Sequence, residues 1–105
     1  MNTIIKDWQI VSVTEEDELI GHVLWGVVVD DMSCRFAKND YVCTSNIVRI
    51  NFDTQLITTS TKSLYQVLGE GSKSEIDKED FELLRNGFSP QYIHQLRLAS
   101  TGYLH

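Results

Sequence analysis

The chain has 105 residues, enough for one domain with a single modest hydrophobic core. With 42% hydrophobic and 23% charged residues, it has the composition of a folded protein rather than a disordered one. Fifteen acids against nine Lys and Arg give a formal charge of −6, and with no basic stripe in the sequence this argues against binding a nucleic-acid phosphate backbone over a broad face. The same charge remains compatible with a basic protein partner.

Asp7 interrupts the first apolar segment, "MNTIIKDWQI", so no signal peptide is visible. The longest uncharged apolar run, Val23 to Val29, is far shorter than the roughly 20 residues that span a bilayer. Cys34 and Cys43 show neither CxxC nor zinc-type spacing. The expectation is a cytoplasmic protein with reduced thiols and no membrane association.

In chain order, "TIIKDWQIVSV" mixes apolar and polar positions and is rich in β-branched residues, so it reads as a first strand. "TEEDE" is an acidic turn. "LIGHVLWGVVVDD" is apolar on both alternating faces, which implies a strand covered on both sides. Its Gly21 and Gly26 mark a bulge, a bend or a close backbone approach, and point to a strongly coiled sheet. "DDMSCRF" reads as a turn with a short strand and "AKND" as another turn. A strand from Tyr41 to Ile50, the turn "NFDT", and strands in "QLITTS" and "KSLYQVL" complete an antiparallel meander.

The pattern changes at Ser74. "SEID" resembles a capping box, and Ile76, Phe81, Leu84 and Phe88 fall near one helical face. Gly87 is placed to end that helix in the left-handed conformation. Ser89 and Pro90 then start a second helix as N-cap and first helical residue, burying Tyr92 or Ile93, Leu96 and Ala99 before Gly102.

Within the third strand, Val42, Val48 and Ile50 share one parity and Tyr41, Cys43 and Ile47 the other. Neither parity stays apolar throughout. A single β-bulge at Thr44–Asn46 would rotate the chain by one residue and restore the alternation. The Thr, Ser and Asn side chains there can satisfy the backbone groups that a bulge leaves unpaired. Bulges also gather beside active sites, so Thr44, Ser45 and Asn46 are candidate binding residues, together with the acidic turn Asp30–Asp31.

Catalytic signatures are sparse. A thiol nucleophile would be Cys43 (or Cys34), with His22, His94 or His105 as base, but no local motif ties these residues together. A buried strand cysteine is ordinarily an inert packing residue. His22 sits mid-strand on a mostly apolar face, where a hydrogen-bonded core histidine is more frequent than a ligand. There is no HxH, HExxH, P-loop or dinucleotide motif, and no metal or cofactor is expected. Trp8, Trp25, Phe36, Tyr41 and Tyr65 are many aromatics for a core of this size; filling that core is their commoner role, and an interface is the alternative for some of them. No acid follows Glu82, so the C-terminal segment could offer a neutral-to-basic face to the acidic sheet of a second copy.

The succession "GHVLWGVVVDD", "RF", "NDYVCTSNI" and "LITTSTKSLYQVLG" resembles small bacterial proteins carried on mobile elements such as prophages and integron gene cassettes. The likeness covers roughly residues 8–69, with "RF" followed by "NDYVCTSNI" its most distinctive part. Such families carry no established activity, so the resemblance implies a standalone accessory protein and no catalytic residues.

Together these readings predict a single α+β domain, 1–105: a strongly curved antiparallel sheet or small β-barrel of five to six strands over 1–69, then two short C-terminal helices over 74–100. The function expected is a non-enzymatic binding or protein-interaction module, as a homodimer or with another protein, with room for a small-molecule ligand. Two alternatives are a small hydrolase or transferase using Cys43 with His22 or His94, and an acidic inhibitor that occupies a nucleic-acid-binding groove on another protein.

Overall fold

A computed structural model of the chain describes residues 2–31, 37 and 40–102. Cys34, Phe36 and the short strand expected around them lie outside the described residues, as does His105. Six strands are present: β1 (Asn2–Glu15), β2 (Glu18–Asp31), β3 (Tyr41–Asn51), β4 (Leu56–Thr59), β5 (Leu64–Val67) and β6 (Ser72–Asp77). A single 3₁₀ turn at Lys78–Asp80 leads into α1 (Phe81–Arg85), and α2 runs Pro90–Gly102.

β1 to β5 form a meander whose ends meet, because β1 pairs with both β2 and β5, giving a ring of hydrogen bonds through five strands. The sheet is mixed: its β1–β2, β2–β3, β3–β4 and β4–β5 pairings are antiparallel as expected, while β1 pairs in parallel with β5 and β6. In a meander each turn reverses the chain, so the fifth strand runs in the direction of the first. Closing an odd-numbered ring therefore makes the β1–β5 pair parallel, at Asn2↔Leu64 to Ile5↔Val67. β6 continues in that direction along the same edge of β1, from Gln9↔Ser72 to Thr14↔Asp77. β5 and β6 thus resemble one strand, broken at Leu68–Gly71 opposite a β1 bulge.

That bulge lies between Lys6 and Gln9, where β1 uses one more residue than β2, and Asp7 adopts φ 50°. Gly26 lies across from it. A Cβ at residue 26 would lie 3.0 Å from the Ile5 side chain and 3.3 Å from the Lys6 carbonyl, so the close approach read from this glycine is present. The acidic turn is a two-residue hairpin loop, with Glu16 and Asp17 both at positive φ, the twist that suits right-handed strands. In "NFDT", Asn51 Oδ1 accepts from the amides of Asp53 and Thr54 at 3.0 and 3.2 Å, closing the next turn.

Two apolar clusters divide along strand parity. Ile5, Trp8, Ile10, Leu24, Val28, Val42, Ile57, Tyr65 and Val67 come from all five ring strands and fill the ring. Val11, Val13, Val23 and Trp25, on the opposite faces of β1 and β2, join Ile76, Leu84 and Ile93 beneath the helices. Trp8 anchors one end of the ring, its indole N–H donating to the Leu68 carbonyl at 3.0 Å. Burying both faces explains why β2 is apolar throughout its middle. Near its start, Leu19 and Ile20 are nonetheless exposed.

The helix expected from Ser74 starts later, because Ser72–Asp77 is strand. Ile76 is the one buried residue of β6, so the segment lacks the alternation that would announce a strand. Asp77 performs the capping, accepting from the Glu79 amide at 3.0 Å. Gly87 ends α1 at φ 100° as expected, and Ser89 Oγ caps α2 by accepting from the Tyr92 amide at 3.1 Å. α2 is held by buried Pro90 and Ile93, while Tyr92 and Leu96 are exposed, against the expectation for Leu96. A reciprocal amide pair reinforces it: Gln9 Nε2 donates to Gln91 Oε1, and Gln91 Nε2 to Gln9 Oε1, both at 2.9 Å. No helix among the described residues is long and apolar enough to cross a membrane.

Candidate functional site

The polar run of β3 is a bulge. Val23↔Asn46 and Trp25↔Cys43 are consecutive registered pairs, so three steps on β3 match two on β2. Thr44 Oγ1 accepts from the Leu24 amide at 3.0 Å and donates to the Ser45 carbonyl at 2.7 Å. Asn46 Oδ1 accepts from the His22 amide at 3.0 Å. Side chains thus replace the ladder bonds that the extra residue removes. A second irregularity follows, where Ile47↔Thr59 and Arg49↔Thr58 leave Val48 as the extra residue opposite β4. Two phase changes, rather than the single one expected, explain why Val42, Ile47 and Ile50 all face the ring interior.

Thr44 and Asn46 are therefore occupied with backbone, whereas Ser45 Oγ lies on the surface 3.2 Å from Thr61 Oγ1. Asp30 is exposed, and Asp31 is buried, accepting from Thr3 Oγ1 at 2.8 Å. The acidic pair lies seven residues along β2 from Val23, the partner of Asn46, roughly 23 Å at about 3.3 Å per residue. The structure does not bring these two candidate groups together.

Cys43 lies in the second cluster, beneath α1. Burial pushes its thiol up to about 12, against a smaller opposing pull from the Arg85 guanidinium. Such a thiol keeps its proton at neutral pH, and the thiolate is the nucleophilic form. Neither His22 nor His94 hydrogen-bonds to it among the described residues; His94 Nε2 is 2.8 Å from the Glu75 carbonyl. Among the described residues, no group of three or more His, Cys, Asp and Glu side chains could hold a metal ion.

The geometry gathers a different set. Pairing of β2 with β3 ends at Val23↔Asn46, while β2 continues with β1, and β3 continues with β4. The two hairpins splay apart beyond the bulge, leaving a cleft of about 530 Å³. Ile10, Ile47 and Ile50 line its apolar base, Val48 and the 71% exposed Phe52 its rim, and Ser12, His22, Arg49 and Lys73 supply its polar groups. No carboxylate lines it. Lys78, Arg85 and Arg97 each meet an acid within 4 Å, but Arg49 and Lys73 meet none among the described residues.

His22 was a sequence candidate; Ser12, Arg49, Phe52 and Lys73 were not. The available signal was faint: residues 41–52 around Arg49 contain no acid, in a chain rich in acids. No family model, curated protein or solved structure matches this chain.

Proposed function

We propose that the protein is a binding module without a catalytic step, and that the cleft between its hairpins takes an organic anion: a carboxylate or phosphate carried on a flat apolar body. The observation that carries this reading is the placement of Arg49 and Lys73, unneutralised among the described residues, in an acid-free cleft of a chain with net charge −6. Arg49 offers a planar fork for two anion oxygens and Lys73 a point charge. The Ser12 hydroxyl and the His22 ring add further hydrogen-bonding groups. Ile10, Ile50 and Phe52 provide the apolar surface that such sites use for affinity. The half-buried, proton-holding thiol of Cys43 further supports binding over nucleophilic catalysis. The likeness of residues 8–69 to proteins of mobile elements adds an accessory role to this reading.

The test is a titration of isotope-labelled protein with phenyl phosphate, benzoate and neutral benzamide. Both anions are expected to shift amide resonances of residues 10–12, 47–52 and 73, and benzamide to bind more weakly. Arg49→Ala with Lys73→Ala should weaken anion binding by roughly tenfold or more, equivalent to about 1.4 kcal/mol. Equal affinity for benzamide and benzoate, or unchanged affinity in the double variant, would refute the assignment.

A further inference from the structure

The strand edge along the cleft is unfinished. β3 pairs with β2 as far as Asn46 and then runs on to Asn51 with β4 on one side, so among the described residues the other edge of 47–51 has no strand beside it. Alternate residues of such an edge turn their N–H and C=O groups outward, where an added strand can bind them. Ile47 to Asn51 is about 16 Å of open edge at about 3.3 Å per residue, and Val48 and Phe52 beside it are 61% and 71% exposed. The edge is blind at one end. At Val23↔Asn46 β2 re-enters the ladder, so a strand laid along β3 in the place that β2 vacates has to stop at the bulge. Running antiparallel to β3, as β2 does, it arrives there with its C-terminus. Lys73 lies level with that end, because it is registered on Ile10, which is registered on Leu24, the residue after Val23.

From this arrangement we infer that the cleft receives the C-terminal end of an extended peptide from another protein, added as a strand to the open edge of β3, with its terminal carboxylate held by Lys73 and Arg49. The inference rests on the anion site proposed above and names what carries the anion. Backbone hydrogen bonds to the edge supply affinity, and the apolar base of Ile10, Ile47 and Ile50 takes the side chain of the last residue. An internal segment would have to leave the sheet at the bulge, whereas a chain end simply stops there. Of the two chain ends, an amine would meet Arg49 and Lys73 and no acid, while a carboxylate meets opposite charge. The facing edge of β2 makes no such selection, because it starts at the acidic loop of Glu16 and Asp17, which repels a carboxylate.

The test titrates the intact protein with an N-acetylated pentapeptide of threonine and valine that ends in phenylalanine with a free carboxylate. Its controls are the C-terminal amide, the same acid N-methylated at alternate backbone amides in either phase, and N-acetylphenylalanine. The free acid is expected to bind about tenfold tighter than N-acetylphenylalanine, the gain from two or three backbone hydrogen bonds, and N-methylation in one phase should abolish that gain. The amide should bind about tenfold more weakly than the acid, and Lys73→Ala, at an exposed position, should cut that ratio about threefold. Amides within 47–51 should exchange more slowly in the complex. If benzoate binds but the peptide is no tighter than N-acetylphenylalanine, or both N-methylated peptides keep full affinity, the added strand is overturned and the anion site stands. Equal affinity of acid and amide overturns the carboxylate capture, and loss of benzoate binding as well removes the anion site with it.

Discussion

Asn46 and Gly21 meet where β2 and β3 separate: Asn46 Oδ1 holds the His22 amide at 3.0 Å and lies 2.8 Å from where a Cβ on residue 21 would be. Gly21→Ala must therefore push the amide aside and break that bond. We expect Gly21→Ala and Asn46→Ala each to cost about 1 kcal/mol, and the double variant to cost clearly less than their sum, because both remove one interaction. Urea unfolding of the four proteins measures this. Strict additivity would show that Asn46 does not act as the partner of the bulge.

Two glycines, two residues apart in the chain, differ sharply in surroundings. Gly69 and Gly71 have φ of 81° and 71°, but a Cβ at 69 meets nothing within 4 Å, whereas at 71 it would lie 2.3 Å from the Trp8 ring. Gly69→Ala should cost about 1 kcal/mol through backbone strain alone. Gly71→Ala adds overpacking at the ring's end and should cost about 2–4 kcal/mol, read as a much larger drop in melting temperature.

How much of this was readable in advance differs by element. The β3 bulge was legible because the apolar positions change parity at a run of hydroxyl and amide side chains, and both signs have the same cause. Gly26 was legible as a close approach because a glycine inside a strand needs a reason. β6 was not: "SKSEID" buries only Ile76, and its pairing with β1 is made by backbone atoms that leave no trace in side-chain pattern. A polar Ser-to-Asp spacing then imitated a helix cap. The cleft escaped notice because Ser12, His22, Arg49 and Lys73 come from four strands and meet only when the hairpins splay.

The Cys43 thiol yields a pH prediction. Its native value is pushed from the ordinary 9.0 up to about 12, so above pH 9 the unfolded chain releases this proton before the folded one does. The native state then binds more protons, and stability falls as pH rises from 9 toward 12, with the contribution fully present below 9. In a Cys34→Ser background, which isolates this thiol, the stability advantage over a further Cys43→Ala change should shrink between pH 8 and pH 10.5. The same background should react slowly with a thiol reagent at pH 8 unless denaturant is added. Fast native labelling would show that Cys43 is accessible and ionised.

Attachment of α2 rests on few side chains. Ile93 is fully buried against Leu84 and Ile76, while Leu98 is 72% exposed. Ile93→Ala should destabilise by about 2–5 kcal/mol through the cavity it leaves. Leu98→Ala should stay within about 0.5 kcal/mol of the parent. Thermal unfolding separates the two cases.

The closure of the ring by β5 has a consequence for biosynthesis. β1 leaves the ribosome about sixty residues before its parallel neighbours, so over that span a nascent chain carries an open strand edge. Pausing before Leu64 would prolong that vulnerable interval, and protection by a chaperone would matter most then.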